Sequence, residues 1–477
     1  MKLFLVNPPT IDGEKYIREG RCMQSVDSWA AIWPPLTLAI LASIGKKYGE
    51  VRLIDCNVET LSSDETLQEI VAFKPDIVVV NATFPSIDSD AFFAKLVKDA
   101  CAGAIVLGLG VFFTLLEETA LRDTEGYDVA IIGEPEETFD EFLAIFQENG
   151  KVLPMKGLMW RDGNEIKKGE PRPFIQDLDT IPMASRDLIK NERYKLPHNG
   201  HRFTLVNVAR GCPYPCTFCI ANAYYGKKLR HHSIGYVINE IEACIGQHGI
   251  KDFLFWEEIF TLDKSFGIAL CDEIIKRGLD ISWATTTRAD QVNEEILLKM
   301  RDAGCQLLGL GIESCSQEIL DNVQKHETVD QIKQAIALCK KVGMPTMGHF
   351  IFGLPGETEE TAQETINFLT TSGIDYMQCY CAVPYPKTPL GDLAKEKGWL
   401  VADRWSDYDF GGRSVMDIGT VSSEDVDRYR KTAFRKFFMR PKFILRQLKV
   451  ITSFRQFLQA AKFTKWMKTK SKKTKAP

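Results

Sequence analysis

Short apolar runs alternate with stretches of helical periodicity, and this alternation passes along the chain twice. In the first pass, residues 2–7, 51–55, 77–81, 104–107 and 129–132 read as strands. Residues 36–47, 64–73, 90–102 and 115–120 between them carry helix-like patterns. Strands that alternate with helices predict a parallel sheet with crossover helices, a doubly wound α/β domain over residues 1–150. Ligands of such sheets sit beyond the carboxyl ends of the strands. That rule puts Asn7-Pro-Pro9, Asp55, Ala82-Thr-Phe-Pro85, Gly108-Leu-Gly110 and Gly133-Glu-Pro-Glu136 on the ligand edge. Residues 22–33 are too apolar for a plain solvent loop and read as a cover, either of a pocket or of the core. Hairpin-like runs at 157–160 and 165–168 and a Pro-containing stretch at 178–183 mark residues 151–199 as a linker.

The second pass starts at Thr204. Strand-like runs at 204–208, 253–256, 281–287, 306–312, 346–352 and 377–383 are separated by helical stretches, for example at 236–247, 266–277, 294–303, 329–342 and 359–371. Six β/α units predict a curved parallel sheet over residues 200–390, with chemistry at the carboxyl ends of its strands. A helical region, residues 391–477, follows.

Length, charge and cysteine usage narrow the class. At 477 residues the chain can build two or three cores. No apolar run reaches the length of a spanning helix, and the apolar start is too short for a signal peptide. Thirteen scattered cysteines argue against a disulfide framework and for a reducing cytoplasm. The net charge of −5 is unevenly spread: residues 428–477 hold 17 Lys and Arg and no acid, leaving 42 basic against 64 acidic residues elsewhere. Bulky apolar residues interleave with the bases, and much of 442–468 is compatible with a basic amphipathic helix. Such a helix suits the anionic inner surface of a membrane and hence peripheral attachment there. Packing against the acidic body of the chain is the competing reading, and nucleic acid ranks third.

One loop carries the chemistry: Arg210-Gly-Cys-Pro-Tyr-Pro-Cys-Thr-Phe-Cys219. Cys212, Cys216 and Cys219 follow the spacing C-x3-C-x2-C. Thiolates are soft ligands suited to zinc and to iron–sulfur clusters. Zinc sites normally close with four ligands, and no fourth Cys or His stands nearby at zinc spacing. Three thiolates on a [4Fe–4S] cube leave one iron open to a chelating small molecule. The alternative is three buried small hydrophobes.

With this loop the sequence resembles the radical S-adenosylmethionine (SAM) enzymes, whose CxxxCxxC loop, usually with an aromatic such as Phe218 before the last Cys, holds a [4Fe–4S] cluster. The resemblance covers roughly residues 200–390 and implies an open partial (β/α)6 barrel of the TIM type. It implies that Glu257 and Glu258 help bind the amino group of SAM, and that Arg288 forks its carboxylate; the competing readings are ordinary strand-end carboxylates and a structural salt bridge. Glu313 and Ser314, in Gly311-Ile-Glu-Ser314, align with a ribose-binding motif. Ile351 and Gly353, in His349-Phe-Ile-Phe-Gly-Leu-Pro-Gly-Glu-Thr358, align with the strand whose backbone contacts adenine. Residues 1–150 resemble, more loosely, the cobalamin-binding Rossmann-like domain that precedes some of these barrels, through Asn7-Pro-Pro9, Trp33-Pro-Pro35 and Gly133-Glu-Pro-Glu-Glu-Thr138. Cobalamin, if bound, takes no histidine ligand from this domain, because none of the seven histidines lies in residues 1–150; the other reading is a domain that binds nothing or only shapes the pocket.

The resemblance implies reductive cleavage of SAM, a 5′-deoxyadenosyl radical and, with cobalamin, C-methyl transfer to an unactivated carbon. Oxidative cyclisation or rearrangement, as in the anaerobic magnesium-protoporphyrin cyclase, is the first alternative. A non-catalytic iron–sulfur or corrinoid-binding protein is the second. The implied partners are a small-molecule substrate, lipid-like if the tail meets a membrane, and an electron donor such as flavodoxin or ferredoxin. Cys379 and Cys381 read as buried structural residues, and His231-His232 as a solvated turn.

Overall fold

In the computed structural model, which describes residues 1–26, 31–441 and 443–445, each alternation builds its own sheet. The first nine strands are β1 (Lys2–Asn7), β2 (Tyr16–Glu19), β3 (Cys22–Ser25), β4 (Glu50–Asp55), β5 (Ile77–Asn81), β6 (Ile105–Leu109), β7 (Val129–Ile131), β8 (Leu158–Asp162) and β9 (Glu165–Lys168). Seven of them form one sheet in the order β4-β1-β5-β6-β7-β8-β9. It is parallel from β4 to β7 and antiparallel at β8 and β9. Val78, Val79 and Val80 on β5 are fully buried, as a parallel strand covered on both faces requires. The hairpin expected in the linker pairs onto β7 and extends this sheet.

The second group is β10 (Phe203–Asn207), β11 (Ala209–Arg210), β12 (Arg230–His231), β13 (Asp252–Trp256), β14 (Ser282–Arg288), β15 (Cys305–Glu313), β16 (Thr346–Phe352) and β17 (Tyr376–Cys381). Six of these line up in chain order, β10-β13-β14-β15-β16-β17, with every neighbour parallel. Among the described residues β10 and β17 do not pair, so the barrel is open. The helix Ile234–His248 is capped at both ends: Ser233 accepts from the Tyr236 amide, and Gly249 ends it in the left-handed region at φ 63°. The helix Ser423–Phe438 packs beside β16 and β17, with Tyr429 against Phe352 and Arg430 donating to the Cys379 carbonyl at 3.3 Å. Cys379 and Cys381 are buried, as expected. The expected basic helix at 442–468 lies outside the described residues, apart from 443–445.

Two features depart from the sequence reading. The stretch expected as a cover begins with the second arm of a hairpin, β2–β3, turned by Gly20-Arg21. Gly20 has φ 52°, the conformation that lets a two-residue turn follow strand twist. Its arms sit across the first sheet: the fully buried Arg18 pairs with Asp90 at 2.8 Å, and the Glu19 carboxylate accepts from the Thr37 amide at 3.1 Å. The second departure is Gly133-Glu-Pro-Glu136, which the sequence placed on the ligand edge. Its carboxylates are sealed beneath two guanidiniums from the second half. Arg210 Nη1 lies 3.2 Å from Glu134 Oε1, and Arg210 Nη2 lies 2.6 Å from Glu136 Oε1. Arg230 Nη1 lies 2.9 Å from Glu134 Oε2 and also donates to the Ile175 carbonyl. Pro135 opens the helix Pro135–Asn149, so these acids also stand at a helix N-terminus, where negative charge is favoured.

Replacing Glu134 by Ala leaves the buried Arg230 without its carboxylate and Arg210 with Glu136 alone. Urea unfolding of Glu134→Ala is expected to show a loss of about 3–5 kcal/mol. Glu134→Gln, which keeps the acceptor oxygen, should lose less. Equal stability of Glu134→Ala and the parent would refute the clamp.

Candidate active site

The three-cysteine loop leaves β11 at Arg210, so the clamp ends two residues before Cys212. Backbone bonds hold the loop on several sides. The Cys212 amide donates to Gly226, the Thr217 amide to Val323 at 3.0 Å, and the Leu390 amide to the Thr217 carbonyl. All three cysteines are free thiols and partly exposed, and Phe218 packs half-buried against the core. Burial pushes the thiols of Cys212 and Cys219 up to about 11 and that of Cys216 upward. Cations oppose this: Arg21 acts on Cys219 and Cys212, and Lys325 and Arg288 act on Cys216. Among the described residues no group of three His, Cys, Asp or Glu side chains is arranged for a single metal ion. Three soft donors in one cation-flanked loop fit an iron–sulfur cluster with one open iron.

The other expected residues ring the same mouth. Glu257 and Glu258 follow β13, both buried. Burial drives the Glu257 carboxyl well above the usual carboxylate range, and its neighbour is the Thr285 hydroxyl at 3.4 Å. Glu258 instead ion-pairs with Arg21 from the β2–β3 turn. Arg288, at the end of β14, is already forked by Asp290, through Nε at 3.0 Å and Nη2 at 3.1 Å. It stacks 3.7 Å over the Tyr214 ring and turns Nη1 toward Cys216 Sγ at 4.0 Å. Glu313 ends β15 at φ 64°, where the pairing with β16 shifts register. That strained position presents its carboxylate to the buried Lys325 at 3.0 Å. Ser314 is buried and shares its hydroxyl with Thr365 at 3.3 Å. Ile351 is half-buried on β16. Just beyond, Gly353, at φ 85°, donates its amide to Glu357 at 2.5 Å. The other Glu357 oxygen is buried without a partner, and burial pushes this carboxyl up to about 8.

Several residues at the mouth escaped the sequence reading. Lys325 bridges Glu313 and Glu327 at 3.0 and 3.7 Å, and its only sequence signal is a Lys in a polar turn. Arg21 stands just before the stretch read as a cover and was not singled out. Inside the barrel, His349 lies 3.3 Å from the Tyr380 hydroxyl, which in turn donates to Gln378. Gly309 makes room for this histidine, since a Cβ there would stand 2.9 Å from His349 Nε2. Burial pushes His349 down to about 4, so it is neutral. The expected solvated turn at His231-His232 is incorrect: His232 is buried against Asp179, and His231 stacks on Phe266 at 4.1 Å. At the ligand edge of the first sheet, Asp55 is occupied by Tyr194 and the Asn57 amide, and Phe84 is packed among Phe112, Tyr385, Trp405 and Tyr408. Asn7, ending β1, and Asn207, ending β10, each bury an Oδ1 that has no partner.

The Radical SAM superfamily model matches residues 206–369, and the B12 binding domain model matches residues 26–143. An uncharacterized methyltransferase of Pyrococcus horikoshii is 33% identical over 448 residues, 94% of this chain and 95% of the relative. The anaerobic magnesium-protoporphyrin IX monomethyl ester cyclase of Cereibacter sphaeroides is 29% identical over 421 residues, 86% of this chain and 68% of the cyclase. Among solved structures, the radical SAM methyltransferase TsrM of Kitasatospora setae, with cobalamin and a [4Fe–4S] cluster bound, superposes with a TM-score of 0.68 at 17% identity. That match covers 84% of this chain and 79% of TsrM, and it is a likeness of fold. The fold class is therefore as expected: a B12-binding α/β domain followed by a radical SAM partial barrel.

Glu357 provides a pH test of this wall of the site. Its folded-state value of about 8 exceeds the ordinary 4.5, so the folded chain keeps a proton that the unfolded chain releases. Its stabilising contribution is complete below about pH 4.5 and is lost as pH rises to about 8. Urea midpoints of the parent should therefore fall relative to those of Glu357→Gln across that window. Parallel profiles would refute a neutral Glu357.

Proposed function

The chain belongs to the radical SAM superfamily and carries a B12-binding domain, and from that premise we propose that it transfers a methyl group from SAM to an unactivated carbon of a small-molecule substrate. The observation that carries this reading is the buried clamp. Glu134 and Glu136 of the B12-binding half hold Arg210, two residues before Cys212, which supports a reading in which the two cofactor sites share one mouth. The 33% identical relative that matches this chain nearly end to end is named a methyltransferase. When bound, the cluster and SAM supply a substrate-carbon radical, and the corrinoid supplies the methyl group.

The residues divide the work as follows. Cys212, Cys216 and Cys219 hold the cluster through thiolates. Glu313 takes the ribose hydroxyls, and the backbone around Ile351 and Gly353 lies along adenine. Glu258 is placed for the SAM ammonium, with Glu257, whose carboxyl burial drives well above the usual carboxylate range, beside it. Arg288 and Lys325 supply positive charge beside Cys216. The orphaned oxygens of Asn7 and Asn207 are acceptors of the kind that the primary amides of a corrin ring require. His349, Tyr380 and Gln378 offer the substrate hydrogen bonds from the barrel wall.

Electrons come from a small donor protein. Among the described residues no helix is long and apolar enough to cross a membrane. Peripheral contact through the basic tail is the membrane part of this proposal, and it rests on sequence alone.

The test is oxygen-free purification from cells supplied with cobalamin. We expect near one corrinoid per chain alongside iron and sulfide. Reduction with methyl-labelled SAM should yield S-adenosylhomocysteine as well as 5′-deoxyadenosine, and Cys216→Ala should abolish the latter. A filled cluster with no corrinoid would overturn methyl transfer and favour the cyclase-like chemistry of the Cereibacter relative.

A further inference from the structure

The β2–β3 hairpin delivers a cation from the B12-binding half to the cysteine loop. Its turn leaves little freedom. A Cβ on Gly20 would collide with the Tyr225 hydroxyl and come within 3.2 Å of the Trp256 ring. Arg21 lies over Trp256 at 5.7 Å and ion-pairs with the buried Glu258. The hairpin arms are anchored on the first sheet by Arg18–Asp90, by Glu19 at the start of the helix Leu36–Gly45, and by Asn81 donating to the Arg18 carbonyl at 2.5 Å.

The charges on the two sides of the loop differ in origin. Arg288 Nη1 stands 4.0 Å from Cys216 Sγ, and Lys325 and Glu313, also from the barrel, act on the same thiol electrostatically. Cys219 and Cys212 feel the charges of Arg21 and Glu258. Arg21 is thus a cation from the other domain that acts on Cys212 and Cys219, and its partner is a buried acid whose charge would otherwise stand unpaired near the thiolates.

We propose that Arg21 is a positioning residue through which the B12-binding domain sets the charge around the cluster, neutralising Glu258 and favouring acceptance of an electron. This rests on the cysteine loop holding a cluster. One-electron reduction adds negative charge to three thiolates and an iron–sulfur core, so a nearby cation raises the potential, and an unpaired buried carboxylate lowers it. Glu258 is buried and Arg21 lies over the buried Trp256 ring, which limits screening on the acid's side of the pair.

The experiment is a redox titration of the reconstituted full chain, followed by electron paramagnetic resonance of the reduced cluster, without turnover. Arg21→Gln should shift the midpoint to a more negative potential, and Arg21→Lys should restore most of the shift. Glu258→Gln should move the midpoint the opposite way, and the double variant should return near the parent value. A role in packing alone would not reverse sign between partners. An unchanged midpoint in both Arg21→Gln and Glu258→Gln, with iron and sulfide content intact, overturns the proposal and leaves the cluster reading standing. A parent chain that takes up no iron and sulfide overturns the cluster reading itself, and this proposal with it.

Discussion

A single buried carboxylate shared by two guanidiniums fixes how the halves of this protein meet. Glu134 binds Arg210 through one oxygen and Arg230 through the other, while Glu136 takes the second nitrogen of Arg210. All four side chains are almost fully removed from water. Such networks gain little over a well-packed apolar contact, because desolvation offsets most of the attraction. Their effect is directional. An apolar interface tolerates a small slide, whereas a displaced guanidinium would leave an unpaired charge in a dry interior. Since Arg210 precedes the cysteine loop, that intolerance is passed to the three thiols.

The thiols themselves pose an electrostatic problem, which the fold meets from two directions. Burial disfavours their ionised form, and a cluster requires all three as thiolates. Lys325 and Arg288 approach Cys216 from the barrel, each partly balanced by its own acids, Glu313, Glu327 and Asp290. Arg21 acts on Cys219 from the turn of the β2–β3 hairpin. The clamp and the hairpin therefore act together: one fixes the loop, and the other fixes a charge beside it.

The legibility of these parts in the sequence follows the range of the interactions behind them. Both sheets were readable because strand and helix periods are local, and the cysteine loop because its donors lie within a few residues. The β2–β3 hairpin was not, since it is fixed by Asp90 and Thr37 rather than by a strong pattern of its own. Gly133-Glu-Pro-Glu136 was noticed but placed wrongly. A carboxylate at a strand end looks the same whether a ligand or Arg210 will cover it, and Arg210 stands 74 residues from Glu136. Arg288 was read as a fork for the SAM carboxylate with a structural salt bridge as the competing reading, and within the chain its fork is taken by Asp290, two residues away. His232 was misjudged because its burial depends on Asp179, across the linker.

The barrel wall opposite the cluster loop is polar where acid–base chemistry at carbon is not needed. Removal of a hydrogen atom by a radical asks no base to be ionised at that carbon, so His349 can be held neutral by burial without cost to the reaction. Neutrality has a use of its own. A charged imidazolium would add to the field of Arg21 and Lys325, both of which already reach this ring. Held neutral and tied to Tyr380, the imidazole can orient a polar group of the substrate without disturbing the charge balance at the thiols. The register supports this division: His349 lies opposite Gln378, and Ile351 lies opposite Tyr380, so one patch of wall places hydrogen-bonding groups beside the strand that adenine is proposed to follow.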